Sequence, residues 1–509
     1  MKSITLVTPP STFLLDERMF PNLGILKVAS SLEAEKWHVS HLDLSGYKNF
    51  GKIVAEYAET VPSDLFGITA TSPQLPAAVE ISAAIRLARP TARIILGGPH
   101  ATLVYAAKKV EAKQGRDSRA HRAAKRLEQI FDCMVAGDGE NAIFYATERF
   151  APKVIEADGF KMEGKSSPFF LTPQQLEVSS FPARHLIDLE SYNFKIDGVR
   201  ASSIIAQLGC PFECGFCAGR NSPTLRNIRT RSTEAVVEEM VHMYQNFGFK
   251  GFMFYDDEQN LVNKEFIELL EKMIKAQKDL GVEWRLRGNV KSQLFNEEQA
   301  EAMYRAGYRK ILIGFESGSP RVLSNIRKRA TQAENTRCLE IARKYKLEVK
   351  ALMSIGHPGE SEDTIDETRQ WLSFTKPHEA DFTIITPYPG SPYYDDALPT
   401  GKEGEFVYVC RTGYGGSPPD RLYQVELDYR TESDYYKGDP NALVISHVWT
   451  DYLSAEDLVR ERNQLEQGIR GTLGIPYHRR AEPINCEAID YGHSMGQTPI
   501  LPSRMLRMS

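Results

Sequence analysis

Cys210-Pro-Phe-Glu-Cys214-Gly-Phe-Cys217 puts three of the chain's seven cysteines into eight residues of a 509-residue sequence. The stretch follows a strand-like run at 202–208 and sits in a loop opened by Gly209. Thiolates this close repel one another unless a cation binds them, and soft sulfur donors select zinc, copper(I) or an iron–sulfur cluster. Structural zinc and ferredoxin-type clusters each take four protein ligands. Here no fourth cysteine lies nearby, and the nearest histidines are His185 and His242. Three ligands leave one metal position open for chemistry, which favours an iron–sulfur cluster with an open iron. A zinc site with a distant fourth ligand is the plainer alternative.

Downstream, strand-like runs at 202–208, 251–255, 283–287, 310–315, 349–354 and 380–386 alternate with helical stripes. Ser232 is placed to cap a helix carrying Val236, Val237, Met240, Met243 and Tyr244 on one face. Asn263 is read as the cap of the next, with Phe266, Leu269, Leu270, Met273 and Ile274 in register and a stop near Gly281. Asn296 and Gln299 have capping-box spacing before Ala300, Met303 and Tyr304, and Gly307 ends that helix. Six β/α units predict a β/α fold whose site lies at the carboxyl ends of the strands. Those ends carry Tyr255-Asp-Asp-Glu-Gln259, Arg287 and Asn289, Gly314-Phe-Glu-Ser-Gly-Ser319, Gly356-His-Pro-Gly-Glu360 and Pro387-Tyr-Pro-Gly-Ser391. The plain alternatives are helix caps for Asp256, Asp257 and Glu258, a loop hydrogen bond for His357, and ordinary turns elsewhere.

Upstream, strand-like runs at 4–8, 41–44, 65–71, 93–96 and 134–136 alternate with helical stretches. That order predicts a parallel, doubly wound sheet whose ligand lies outside the carboxyl ends of its strands. Those ends carry small, hydroxylated and glycine residues: Thr8-Pro-Pro-Ser-Thr12 (with Pro10 and Ser11), Asp43-Leu-Ser-Gly46, Thr71 and Ser72, Gly97 and Gly98, and Gly137-Asp-Gly-Glu140 (with Gly139). Such residues let a bulky planar ligand approach the backbone. The stretch 105–129, rich in Ala, Lys and Arg, reads as a solvated helical insertion.

The Cys-x-x-x-Cys-x-x-Cys spacing, with Phe216 before the last cysteine, resembles the cluster motif of the radical S-adenosylmethionine (SAM) superfamily. The resemblance implies a 4Fe-4S cluster on Cys210, Cys214 and Cys217, with SAM on the open iron, split to a 5′-deoxyadenosyl radical. It places Phe216, Asp256, Asp257, Glu258, Arg287, Glu316, Ser317 and Gly356 around SAM. The first third resembles the cobalamin-binding domain that precedes the barrel in one large subfamily. Gly97-Gly98 matches its glycine pair, and Ser72 stands where it often has Ser or Thr. Pro10, Ser11, Thr71, Ser72, Gly97, Gly98, Gly139 and Glu140 are the implied cobalamin contacts. The loop Pro9-Pro-Ser-Thr-Phe-Leu-Leu-Asp16 lacks the histidine of the Asp-x-His-x-x-Gly motif, so no His from it ligates cobalt.

The expected architecture is α/β. A Rossmann-like cobalamin-binding domain spans 1–150, a linker 151–198, a partial (β/α)6 radical SAM barrel 199–392, and a mainly helical, substrate-capping region 393–509. The last region holds Tyr423, Tyr429, Tyr435, Tyr436 and Tyr452, an amphipathic stretch at 454–473 and an aperiodic tail expected to be disordered. Cys410 and Cys486 lie far apart, which argues against a second cluster. A net charge of −5 points away from nucleic acid. No apolar run of 18 residues predicts a membrane span, and few, clustered cysteines suit a reducing, cytoplasmic setting. The resemblance implies a radical SAM enzyme that methylates an unactivated carbon of a small-molecule or peptide substrate. Its electrons would come from a flavodoxin- or ferredoxin-type donor. A non-methylating cyclisation, ring contraction or oxidation is the nearest alternative, and a non-catalytic cobalamin or metal sensor is the alternative of another class. A methylthiotransferase would carry extra cysteines in the first domain, which has only Cys133.

Overall fold

The side chains of the first strand alternate between two cores: Ile4 and Leu6 pack on one face of a sheet and Val7 on the other. The computed structural model describes residues 2–11, 17–116, 118–159, 167–177, 180–192, 194–427 and 445–475. The sheet is parallel, in the order β2-β1-β3-β4-β5-β6. Its strands are β1 (Ser3–Thr8), β2 (His38–Asp43), β3 (Leu65–Thr69), β4 (Arg93–Gly97), β5 (Cys133–Gly137) and β6 (Val154–Ala157). Helices Leu23–Ala34 and Gly139–Ala146 cover one face; Phe50–Thr60, Leu75–Ala88 and Pro99–Lys113 cover the other. Burial on both faces explains why β4 reads Ile94-Ile-Leu96 without alternation. The sequence order reverses between β1 and β3, the place where such sheets bind ligands. Strand β6 lies inside the stretch read as a linker, so the first sheet reaches Ala157. Its Val-Ile-Glu-Ala is too short to stand out as a periodic run.

The hairpin of β7 (Lys195–Ile196) and β8 (Val199–Ile204) starts the second unit. The expected run at 202–208 is broken, because the backbone bends at Ile205 and Ala206. Beyond the bend, β9 (Gln207–Leu208) pairs antiparallel with β10 (Arg229–Thr230). Strands β11 (Gly251–Phe254), β12 (Arg285–Arg287), β13 (Lys310–Glu316), β14 (Glu348–Ile355) and β15 (Glu379–Ile384) follow. With β8 they form six parallel strands, joined between β12 and β13 by bridges Leu286–Tyr308 and Asn289–Leu312. Ser232 and Asn296 cap their helices as expected, accepting from the N–H groups of Ala235 and Gln299. Asn263 does not cap. It is the first helical residue, and its side-chain oxygen accepts from Gln299 Nε2 at 2.7 Å.

The C-terminal region holds the expected helix, Ala455–Leu473, and also an antiparallel sheet that the sequence did not predict. That sheet is β16 (Leu398–Pro399), β17 (Glu405–Val409), β18 (Arg421–Val425) and β19 (Val448–Thr450). The helix lies along the edge strand β15, where Arg462 donates to the Phe382 carbonyl at 3.0 Å and Arg470 to Asp381 at 2.9 Å. An exposed strand edge is thereby covered. Tyr429, Tyr435, Tyr436, Cys486, the loop 12–16 and the tail from 476 lie outside the described residues.

The stretch 105–129 is helical but not simply solvated. Arg119 is buried, its guanidinium carbon 3.5 Å from the Tyr394 ring centroid and 4.2 Å from that of Phe406. Arg116 donates to the carbonyl of Ala397 at 2.8 Å and to that of Asp395 at 2.6 Å. The segment clamps the first unit to the C-terminal region. In sequence its basic run was indistinguishable from a surface helix.

Candidate cluster and cofactor site

The cysteine loop is held from outside before any metal is considered. Cys210 N–H donates to the Leu225 carbonyl at 3.1 Å and Gly215 N–H to that of Ile326 at 2.9 Å. The Arg220 guanidinium donates to the carbonyls of Cys210, at 2.6 Å, and Phe212. The Tyr393 ring packs so tightly on Gly215 that a Cβ there would overlap it. Burial pushes the Cys217 thiol up to about 12, against the pull of Arg220 and with help from its two neighbouring sulfurs. Burial also raises Cys210. Thiols so enclosed lose their protons to a bound metal rather than to water. Among the described residues no three Cys, His or carboxylate side chains close on a single ion. Three soft sulfur donors presented by one loop beside the Arg220 guanidinium suit an iron–sulfur cluster. The donor set therefore fits a 4Fe-4S cluster.

Acids and cations converge beside the loop. Glu316, at a bulge in β13, has φ of 65°, in the left-handed region that a non-glycine residue rarely adopts. Its carboxylate accepts from Lys328 at 2.8 Å and from Ser354 at 2.7 Å. Burial alone would raise this acid, but Lys328 and the two hydrogen bonds outweigh it and hold the carboxyl below its ordinary range. Lys328 is aimed inward by a turn in which Arg327 and Arg329 both have positive φ. Ser354 continues to His357 Nε2 at 2.8 Å, and Phe216 meets the His357 ring edge-on at 5.3 Å. Burial lowers His357 to about 4, so it is neutral near pH 7. Burial raises Asp257, with Arg220 opposing, and burial raises Glu258, with Lys291 and Lys328 opposing.

The structure gathers Cys210, Cys214, Cys217, Asp257, Glu258 and Glu316, and adds Arg220, Lys291 and Lys328, which sequence reasoning missed. The remaining residues implied for SAM make the following contacts within the protein. Asp256 is buried and accepts from Ala206 N–H at 2.8 Å, holding the bend after β8; burial pushes it up to about 7. Ser317 bonds Thr368 at 3.0 Å and accepts from Ser319 N–H. Gly356 backs onto Val448 and Ile384. Arg287 is buried with its guanidinium carbon 5.8 Å from the Phe194 ring centroid.

A cavity of about 470 Å³ lies between the two units, within the roughly 300–1,000 Å³ of ligand sites. Its first wall is Thr69, Thr71, Gly97, Gly98 and Gly137 to Glu140; its second is Ile205 to Gly209, Tyr255 and Asp257. An apolar slot runs between the sheet (Leu6, Ile68, Ile95, Val135) and the helices (Val28, Ile143). A Cβ at Gly97 would meet nothing within 4 Å, so ligand can approach the backbone there. Gly98 has φ of 91°, and a Cβ on it would lie 2.6 Å from Thr69 Oγ1. Among the described lining residues there is no histidine. Slot, open glycine and mixed rim fit a large planar cofactor with a tail, as cobalamin is. Of the residues implied for cobalamin, Thr71, Gly97, Gly98, Gly139 and Glu140 line the cavity. Pro10 and Ser11 are buried and do not line it, and Ser11 N–H donates to Glu17. Ser72 turns away to His100 Nδ1 at 2.9 Å, a pairing with no signal in the sequence.

Straps across the boundary fix the two walls. Arg229 donates to Asp138 at 2.6 Å, and Asp158 accepts from Thr224 N–H at 3.0 Å and from the Ser222 hydroxyl. A Rossmann-like domain fixed against a partial barrel with a three-cysteine loop joins two known domain types in one chain, a B12-binding domain and a radical SAM domain. The B12 binding domain family matches residues 17–124 and the Radical SAM superfamily residues 204–372. The uncharacterized methyltransferase PH0819 of Pyrococcus horikoshii is 27% identical over 405 residues, 78% of this chain and 83% of that protein. The anaerobic magnesium-protoporphyrin IX monomethyl ester cyclase of Cereibacter sphaeroides is 25% identical over 366 residues, 69% of this chain and 56% of that protein. The radical SAM methyltransferase TsrM of Kitasatospora setae, solved with cobalamin and a 4Fe-4S cluster, shares the fold. Its TM-score is 0.61 over 82% of each chain, at 18% identity.

Proposed function

We propose that this protein methylates an unactivated carbon of a small molecule or peptide lodged between its two units. The observation that carries this reading is the shared cavity: glycine-rich strand ends of the first sheet face Leu208, Gly209, Tyr255 and Asp257 of the barrel. When bound, cluster and SAM supply the radical that removes a hydrogen atom, and methylcobalamin supplies the methyl group. Cys210, Cys214 and Cys217 hold the cluster, Asp257 and Glu258 offer carboxylates to the SAM ammonium, and Glu316 is kept ionised by Lys328 beside them. Gly97 and Gly98 let the corrin ring close on the backbone. The C-terminal region from 393 is held to the first unit by Arg119. An external flavodoxin- or ferredoxin-type donor supplies electrons. Among the described residues no helix is long and apolar enough to cross a membrane, and six cysteines are free; a reducing cytoplasm would keep them so.

Anaerobic reconstitution with iron, sulfide, cobalamin and SAM tests the reading. The expected result is a brown protein that releases 5′-deoxyadenosine under reduction and adds one methylene to its substrate's mass. A colourless protein that holds zinc instead sinks it, and cofactor binding without 5′-deoxyadenosine favours a sensor. The similarity to a ring-forming cyclase supports a second reading, radical cyclisation, which would leave product mass without the added methylene.

A further inference from the structure

Lys291 is a buried cation that joins no ion pair among the described residues; the carboxylate that acts on it is Glu258, which Lys328 also faces. The residue is 2% exposed. Asn260 clamps its backbone from both sides, accepting from its N–H at 2.8 Å and donating to its carbonyl at 3.1 Å. Asn260 is itself buried and donates to Gln299 Oε1 at 3.2 Å. The Lys291 ammonium lies 4.1 Å from the centroid of the Phe212 ring, between Cys210 and Cys214 in the loop. Among the described residues it joins no ion pair, whereas the neighbouring buried lysine, Lys328, is matched by Glu316 at 2.8 Å. A cation–π contact does not offset the burial of a full charge. Such a position is stable when an anion arrives beside it.

We infer that Lys291 is the charge-balancing residue of the cysteine loop: its ammonium answers the negative charge of the metal–thiolate centre on Cys210, Cys214 and Cys217 and eases that centre's uptake of an electron. The inference rests on the cluster reading proposed above. A fixed positive charge in a low-dielectric site stabilises the more negative, reduced form of a cluster and raises its potential. Lys291 acts on the centre through space, so it is a positioning residue rather than a catalytic one.

Lys291→Met and Lys291→Arg in the full-length protein test this with two readouts of opposite sign. Without metal, Lys291→Met removes a buried charge that joins no ion pair, while Glu258 keeps Lys328, so the protein should melt no lower than wild type. After reconstitution, its cluster midpoint, followed by electron paramagnetic resonance, should fall. The expected change is about tenfold in the reduced-to-oxidised ratio at fixed potential, about 59 mV for one electron. Lys291→Arg should stay near wild type. Loss of iron from Lys291→Met, with restoration in Lys291→Arg and unchanged metal-free melting, supports the inference equally. An unmoved midpoint at full iron content overturns it, as does a clear drop in metal-free melting. A wild-type protein that takes up no iron and sulfide overturns the cluster reading instead.

Discussion

Asp138 and Arg229 meet in a buried ion pair, 2.6 Å from Oδ2 to Nη1, across the boundary between the cobalamin sheet and the barrel. Both line the shared cavity. Burial outweighs the guanidinium and leaves the Asp138 carboxyl above its ordinary range, so the pair carries a large desolvation cost. Asp138→Ala should destabilise the protein by about 3–5 kcal/mol in urea unfolding, because it strands Arg229. The double variant Asp138→Leu/Arg229→Met should recover most of that. A single variant as stable as wild type would show that the pair is solvated.

Gly97 and Gly98 should respond in opposite ways. Gly97→Val adds carbon into open space, so the cofactor-free protein should lose under about 1 kcal/mol while cobalamin affinity falls at least tenfold. Gly98→Ala forces a Cβ at positive φ onto Thr69 and Ala70, and should cost about 1–3 kcal/mol even without cofactor. Equilibrium dialysis and thermal melting separate the two. Wild-type cobalamin affinity in Gly97→Val would move the cofactor away from this strand end.

His100 should make the protein acid-sensitive. Burial lowers it to about 4 from an ordinary 6.5, so the unfolded state takes its proton first as pH falls. The stabilisation is complete above pH 6.5 and drains away between 6.5 and 4, by about 3 kcal/mol. His100→Asn should flatten that part of the urea-unfolding profile by a similar amount. Parallel profiles for variant and wild type would contradict the burial of this ring.

Arg119 joins the first unit to the C-terminal region through two rings and the Tyr394 carbonyl. Arg119→Ala should cost about 2–4 kcal/mol and expose the region after 393 to proteolysis. Arg119→Lys should rescue little, since an ammonium cannot stack as a planar guanidinium does. Unchanged proteolysis in the alanine variant would mean the clamp is dispensable.

How much of the fold was legible ahead of the structure differs by part. The cysteine loop and five of the six strands of the first sheet were legible because their signals are local: ligand spacing and apolar periodicity. Asp256 and Ser72 were read as cofactor contacts at strand ends; that they also bond Ala206 N–H and His100 depends on neighbours supplied from elsewhere in the chain. The C-terminal sheet was passed over although Phe406 and Tyr408 alternate inward with Val407 between them, because its strands are short and widely separated.

Residue order and type were enough to place a three-cysteine loop at the opening of a β/α unit behind a doubly wound domain, since backbone periodicity and motif spacing act over a few residues. Folding alone settled that Lys328 reaches Glu316, that the Lys291 ammonium packs over Phe212, and that one cavity has walls from both units. Those arrangements depend on burial and charge pairing between segments distant in sequence, as with the 91 residues from Asp138 to Arg229. No local pattern encodes which partner a buried charge will meet.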